Sequence, residues 1–524
     1  MSEDKKGILG KVFGVSGIIL LSRFLGLLRV RLEAEVLGGG AVASAWHLAF
    51  ALPNMFRRLL GEGALGNALM PIVAELEKKH SREDARGALA VVFPVLGLVL
   101  AIIVIVISAA GIIAGKFVPD GEEFWRVRML CLLLPLLMPY AVFICLVGAA
   151  TAVVNYAKMF IFPACCSLVM NLFLIGGLLY GWYDQVSAKT ETLEKFLVTL
   201  SFVFLASGVL QLLLMWIALK ICGFTPDFSR WRSHAGVLKS LWRIAAPGMI
   251  GAGALQISFL IDRALAIYVN DHGVAALTYV DRLIDLPIAV FAVAMGQVLM
   301  ARMTRSAADG DIAGMTEDMN YGLRQVLFLC VPMAAGVFFF HELMLKVICL
   351  GGNYTASDLD ASRTVAIFYG LGVPFFCALK ILQPAFFARK DMKTPLYCSL
   401  CAIGVNVALS IALIKPLAQG GIALATVISA VLNICLLSLA LRKQGIGLRF
   451  RQVGMTLCRS VCWAVAAGWG VNVLLVKCYH GSGRIADFSA LAVAGTVFAA
   501  VYLAGSHLTG GRELRENFAR FHRK

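Results

Sequence analysis

Apolar residues come in long blocks separated by short polar links. Fourteen stretches of about 20 residues or more predict helices at 12–36, 44–75, 88–115, 127–153, 159–182, 196–219, 240–268, 274–303, 322–346, 362–388, 394–415, 419–441, 455–476 and 486–507. Each is long enough to cross the roughly 30 Å hydrocarbon layer of a bilayer. The second and eighth are expected to run past the membrane surface. The pattern predicts an all-α polytopic membrane protein.

The blocks also repeat. "ALGNALM" (64–70) is echoed by "AMGQVLM" (294–300) at an offset of 230, and "PACCSL" (163–168) by "PLYCSL" (395–400) at an offset of 232. The first pair lies in helices 2 and 8, the second at the starts of helices 5 and 11. Two matches at nearly one offset predict two parallel six-helix lobes, in the same orientation because six is even. Residues 1–230 are expected to form the first lobe and 231–450 the second. Residues 451–524 then hold two extra C-terminal helices, 13 and 14, and a tail. Parallel repeats of this kind place a substrate path between the halves, with alternating access as one rocks against the other.

Composition agrees. The chain is 60% hydrophobic and 15% charged, against about 45–50% and 25% for a soluble domain. The N-terminus "MSEDKKGILGKVFG" lacks the apolar core and small-residue cleavage site of a signal peptide and reads as a cytoplasmic tail. With that end inside, the inner segments hold 29 Lys and Arg and the outer segments 10. Both termini are therefore expected in the cytoplasm, and the bacterial cytoplasmic membrane is the expected location. This asymmetry explains much of the +16 net charge. Because that charge is spread over many short loops, no nucleic-acid partner is expected. Most of the 14 cysteines lie in apolar runs, where Cys acts as a small hydrophobe, so neither disulfides nor a firm metal site is expected.

Charges inside the membrane stand out. An ionisable group near a membrane helix centre costs at least about 2.5–3.5 kcal/mol, so it normally faces a bundle interior or wet cavity. Helix 1 carries Arg23 and Arg29, each about 60° from Gly26 on opposite sides, flanking one stripe. Arg31, Glu33 and Glu35 sit toward its outer end, where they can snorkel or pair. Helix 2 carries Arg57, Arg58 and Glu62, and the last two are spaced to pair. Helix 8 carries Asp281, Arg282 and Asp285. Arg23, Arg29, Arg57 and Arg282 would meet across the two halves. Guanidiniums clustered in a wet cavity imply an anionic substrate, since Arg grips phosphate bidentately. Lys380, alone in helix 10, either faces a cavity or snorkels. A second candidate site is formed by Asp262 of helix 7, Asn406 of helix 11 and Thr426 of helix 12, whose oxygens suit Na⁺; Asp262 alone would suit a proton. The alternative for Asp262 is a salt bridge to Arg263 or to another helix. A membrane enzyme acting on polyprenyl diphosphates would need paired acids for Mg²⁺, and the chain shows no such pair at an inner face.

"SRFLGLLRV", "FALPNMFRRLLGEGALGNALMPIVAE", "YVDRLIDLPIAVFAVAMG" and "ARKDMKTP" together resemble the MurJ (MviN) family. These are the lipid II flippases of bacterial cell-wall synthesis, in the multidrug/oligosaccharidyl-lipid/polysaccharide transporter superfamily. The resemblance covers essentially the whole chain, helices 13 and 14 included. It implies two lobes around a cationic cavity, entered by a hydrophobic groove from helices 13 and 14. It also implies that Arg23, Arg29, Arg57 and Arg282 bind the diphosphate of lipid II, with Glu62, Asp281, Asp285 and Gly26 in support or gating. Asp262 and Asn406 would fill the places of the family's ion site. Two positions depart from the family's pattern: Val30 and Ser44 stand where an Asp is frequent. The expected substrate is lipid II, with another polyprenyl-diphosphate glycan or amphiphile as the alternative. Transport is expected to make or break no bond and to use no cofactor beyond Na⁺ or H⁺ as coupling ion. Expected partners are membrane lipids and, among proteins, those of cell-wall synthesis; the chain is expected to act as a monomer.

Overall fold

The computed structural model describes residues 3–121, 124–183, 190–229, 236–479, 483–510 and 513. Among them every extended element is helical. In chain order these are α1 (Glu3–Leu37), α2 (Ala41–Phe56), a π-helix π1 (Arg57–Ala64), α3 (Leu65–Lys79), α4 (Arg82–Phe117), α5 (Trp125–Leu137), α6 (Tyr140–Tyr156), α7 (Ile161–Tyr183) and α8 (Thr190–Cys222). There follow α9 (Val237–Val269), α10 (Gly273–Pro287), a second π-helix π2 (Ile288–Val293), α11 (Ala294–Ala308), α12 (Ile312–Ile348), α13 (Ala356–Ala388), α14 (Lys393–Lys443), α15 (Phe450–Cys478) and α16 (Arg484–Leu508).

Taking α2–π1–α3, α5–α6 and α10–π2–α11 as single rods, and α14 as two halves, the described residues make the fourteen expected segments. Among the described residues, eight helices are long and apolar enough to cross a membrane by length and composition, nine if α5–α6 counts as one span. Outside that set are α1, α9 and the two π-interrupted rods, which carry most of the charged candidates. The division of α14 falls at Ala418, whose backbone leaves the helical region (φ 48°, ψ −132°). Pro416 precedes it and Gly420–Gly421 follow, matching the gap expected between 415 and 419.

Several helices differ from expectation: α1, α8 and α13 start six or more residues early, and the second and eighth expected helices are interrupted by π1 and π2. The single helix expected at 127–153 is broken, with α5 and α6 bent by 45° across Met138–Pro139. Proline ends a hydrogen-bond ladder that hydropathy alone reads as continuous. The start of α4 is Arg82 rather than 88, because the Ser81 hydroxyl accepts from the Asp84 N–H at 3.1 Å. The start of α12 is Ile312 rather than 322, with Asp311 Oδ1 accepting from the Gly314 N–H at 2.8 Å. Polar caps outside the membrane extend helices that an apolar count truncates.

By packing, the chain forms two compact units: Met1–Ile267 with Gly352–Tyr354, and Tyr268–Gly351 with Thr355–Lys524. The lobe boundary expected at 230/231 lies outside the described residues. Residues 352–354 count with the first unit because they finish α1. The Asn353 N–H donates to the Glu35 carbonyl at 2.9 Å and its Nδ2 to the Val36 carbonyl at 2.6 Å. Those are among the carbonyls that a helix end leaves without an internal donor.

The repeat is written in the backbone. Between the units, π1 and π2 begin 231 positions apart, α2 and α10 232 apart, and α7 and α14 also 232 apart. Lys158 (φ 60°) and Lys390 (φ 61°), again 232 apart, are two of the three non-glycine residues with positive φ among the described residues. Each lies within the tight link, 157–160 or 389–392, before the helix that opens the "PACCSL" or "PLYCSL" echo.

Polar links hold each unit's loops. In the first, Arg86 Nε donates to the Thr225 carbonyl at 2.9 Å, and Arg82 lies over the Phe224 ring at 4.5 Å. In the second, Asp391 accepts from the Thr394 N–H and the Gln444 amide, both at 3.0 Å. Glu513 is 2% exposed, accepts from the Thr456 hydroxyl at 2.6 Å, pairs with Arg459, and lies 3.8 Å from Arg324.

Candidate functional site

In the first unit, α1 carries its charges on two different surfaces. Arg23 is exposed. Its neighbour Ser22 is fixed on α7, sharing a hydroxyl hydrogen bond with Ser167 at 2.9 Å and accepting from Asn171 Nδ2 on its carbonyl at 3.0 Å. A Cβ at Gly26 would meet Asn171 Nδ2 at 3.9 Å, so the stripe between the two arginines looks toward α7. Arg29 is buried: its Nε lies 3.6 Å from Glu33 Oε1, and its guanidinium sits 5.5 Å from the Phe50 ring centroid. Arg31 pairs with Glu35 at 3.2 Å. Each is an (i, i+4) pair. Val30 and Ser44 are both buried.

Arg57 opens π1. A π-helical turn holds an extra residue and shifts the side chains that follow around the axis. Here the change comes in "RRLLGEGA", just after Pro53 of α2. Arg57 Nε donates to Asn54 Oδ1 at 3.2 Å, and Asn54 Nδ2 donates to the Phe50 carbonyl at 3.1 Å. The half-buried guanidinium lines a cavity of about 390 Å³ with Tyr140, Asn155, Ser167 and Gln211. Arg58 turns away, its guanidinium 5.8 Å from the Phe259 ring. The side chain of Glu62, and with it the expected Arg58–Glu62 pair, lies outside the described residues. Asp262 and Arg263 of α9 are both buried, with Arg263 4.3 Å from the same Phe259 ring.

In the second unit, α10 holds Asp281 and Arg282 half-buried and Asp285 exposed, one turn before π2. Lys380 of α13 is exposed. Its carbonyl is where Gly296 matters, since a Cβ there would lie 2.6 Å from the Lys380 oxygen. The glycine of the "AMGQVLM" echo thus lets α11 come close to α13. Asn406 is buried, and the half-buried Thr426 donates its hydroxyl to the Ile422 carbonyl at 2.9 Å. Of the candidate ion-site residues, Asp262 belongs to the first unit, and Asn406 and Thr426 to the second.

The second unit also holds an apolar cavity of about 850 Å³ walled by α12, α13 and α15, with Leu327, Phe338, Phe375 and Leu457 among its lining. A smaller one of about 340 Å³ lies between α15 and α16. Hydropathy alone gave no sign of either. Nor did it point to Tyr140 and Gln211, although Gln211 is the lone polar residue in "GVLQLLLMW".

A family model described as "Lipid II flippase MurJ" matches residues 33–488. A protein named "Probable lipid II flippase MurJ" from Rhizobium tropici is 33% identical over 445 residues, covering 84% of this chain and 81% of the relative. The "Lipid II flippase MurJ" of Burkholderia cenocepacia is 29% identical over 445 residues, covering 82% and 83%. Among solved structures, a lipid II flippase MurJ in an inward closed conformation superposes with a TM-score of 0.75 at 20% identity, over 94% of this chain and 98% of that one. An inward-facing multidrug resistance MATE transporter of the MOP superfamily gives 0.65 at 13% identity, over 82% and 97%. The family model takes in both π-interrupted rods with the charged residues of π1 and α10, and the chain belongs to the lipid II flippase MurJ family.

Proposed function

We propose that this protein carries lipid II from the inner to the outer leaflet of a bacterial cytoplasmic membrane by alternating access, with both termini in the cytoplasm. The observation that carries the reading is the set of guanidiniums set into membrane helices of a MurJ-family chain: Arg23, Arg29, Arg57 and Arg282. Each is a strong bidentate partner for a phosphate oxygen pair, and a diphosphate offers enough negative charge to engage several at once. The apolar cavity beside α15 suits the polyprenyl tail, which then never enters water. No bond is made or broken, so the residues bind and release rather than catalyse. Glu62, Asp281 and Asp285 compete for the arginines once the diphosphate has left. The return step runs on membrane potential or on a cation gradient; for the latter, Asp262, Asn406 and Thr426 supply hard oxygen ligands suited to Na⁺, and Asp262 a proton site. Lys and Arg counts of 29 inside and 10 outside support the orientation.

The test is outer-leaflet lipid II in bacteria whose own flippase can be switched off, supplied with wild type or Arg282→Ala. Restoration of outer-leaflet lipid II and growth by wild type, but not by an equally abundant variant, supports substrate and site together. Wild type that inserts normally while lipid II stays inside moves the substrate to another polyprenyl-diphosphate glycan or amphiphile. An Arg282→Ala variant as active as wild type removes Arg282 from the site.

A further inference from the structure

The cavity beside Arg57 has more polar chemistry than a phosphate requires. It lies wholly within the first unit, between π1, α3, α6, α7 and α8. Thr151, Asn155, Ser167 and Gln211 line it together with the Tyr140 phenol and the Arg57 guanidinium. Tyr140 and Gln211 are 0% and 1% exposed, and the phenol oxygen lies 3.3 Å from Gln211 Nε2 and 3.5 Å from Oε1. A primary amide has two donor hydrogens and two acceptor lone pairs, so one hydroxyl cannot use it up. Polar groups buried in a membrane helix with capacity to spare are costly unless something meets them. Apart from Arg57, all five of these side chains are neutral, and between them they both donate and accept. That is the signature of a site for a neutral group rich in hydroxyls and amides, placed beside one anion-binding guanidinium. At about 390 Å³ the cavity stands at the small end of the roughly 300–1,000 Å³ usual for small-molecule sites. It has room for one sugar-sized unit, not for a whole glycopeptide.

We propose that this cavity is a glycan subsite: with Arg57 on the phosphate, Gln211, Tyr140, Thr151 and Asn155 hold the amide- and hydroxyl-bearing sugar next to it. The inference rests on the flippase reading and adds to it the part of the substrate that separates lipid II from bare polyprenyl diphosphate. The competing role for Tyr140 and Gln211 is interhelical glue between α6 and α8, which would stabilise the fold without touching substrate. The two roles separate in ligand discrimination, because a site built to hydrogen-bond a substrate group rejects the analogue lacking it.

The experiment measures binding of lipid II and of undecaprenyl diphosphate, which has diphosphate and tail but no sugar, to purified full-length protein. Wild type, Gln211→Met, Thr151→Val and Arg57→Ala are compared, with thermal unfolding recorded for each. The expected result is that Gln211→Met and Thr151→Val each weaken lipid II by about tenfold and leave undecaprenyl diphosphate unchanged, while Arg57→Ala weakens both ligands. Thr151→Val removes one hydroxyl at nearly constant shape and keeps the test alive if Gln211→Met fails to fold. Equal weakening of both ligands by the two polar-to-apolar variants, or no weakening of either, overturns the subsite while the flippase reading stands. Wild type that binds neither lipid overturns the flippase reading and the subsite with it.

Discussion

The two π-helical stretches share a position and differ in chemistry. In each unit a long rod is interrupted after about four turns, by π1 at Arg57–Ala64 and by π2 at Ile288–Val293. The sequences there are "RRLLGEGA" and "IAVFAV". The first puts three charges into the irregular turn, the second none. In the second unit the charges Asp281, Arg282 and Asp285 stand before the interruption, on regular helix. The irregular backbone therefore belongs to the repeat, while the charge belongs to one copy of it. Where the extra residue and the charge coincide, the turn carries a guanidinium to a cavity wall; where they do not, it changes only the packing of apolar side chains.

The sharpest way to break this comparison is to truncate the first residue of each π-helix. Arg57→Ala is expected to lower lipid II transport by roughly ten- to a hundredfold, as for loss of a charge-assisted hydrogen bond. Ile288→Ala is expected to stay within about twofold, since it removes only part of an apolar side chain. Equal losses in the two would place the function in the backbone irregularity rather than in the charge. A smaller effect is expected on stability. Gly296→Ala drives a Cβ into the Lys380 carbonyl, a backbone group with no rotamer to escape through. It should cost about 1–3 kcal/mol, read as a lower unfolding temperature in detergent. Gly26→Ala, whose Cβ meets only Asn171 Nδ2 at 3.9 Å, should leave that temperature unchanged.

Acid should then act on the loop that leads into α14. Burial raises the Asp391 carboxyl, but the Thr394 N–H and hydroxyl, the Gln444 amide and the Lys393 N–H outweigh it and hold the group below its ordinary range. The ionised form therefore adds stability at and above about pH 4, the usual Asp value, and that contribution is lost as pH falls through the lowered one. Thermal melts between about pH 6 and pH 3 should show wild type losing more on acidification than Asp391→Asn. The least effect belongs to the left-handed lysines. Lys158→Gly and Lys390→Gly each remove a strained αL side chain at a modest entropic cost, for a net gain near 0.5 kcal/mol, roughly equal in the two units. Unequal gains would mean that the matching φ angles do not mark matching environments.

Much of this fold was legible as pattern. The segment count, the division of α14 near residue 416 and the offset near 231 all follow from apolar blocks, a proline beside paired glycines, and two short echoes. The bend at Pro139 was not legible, because Pro135 and Pro139 sit inside an unbroken apolar run and hydropathy does not register a missing N–H. The π-helices leave no compositional trace either, since an inserted residue alters angular position rather than polarity. Among the candidate residues, the sequence leaves Arg31, Glu33 and Glu35 to snorkel or pair, and Arg31 pairs with Glu35. The Phe50 ring under Arg29 and the Tyr140 phenol beside Gln211 come from other helices, and no local spacing predicts those.

Glu513 has a practical consequence for anyone handling the protein. It is a single carboxylate beyond the last membrane helix, yet it is 2% exposed and serves Thr456, Arg459 and Arg324 on two other helices. A purification tag or reporter joined directly after residue 510 would discard the acid those two guanidiniums share, and would leave the positive charges of Arg324 and Arg459 without it. The fusion point belongs downstream of residue 513, and a shortened chain that expresses poorly should first be suspected of lacking this one carboxylate.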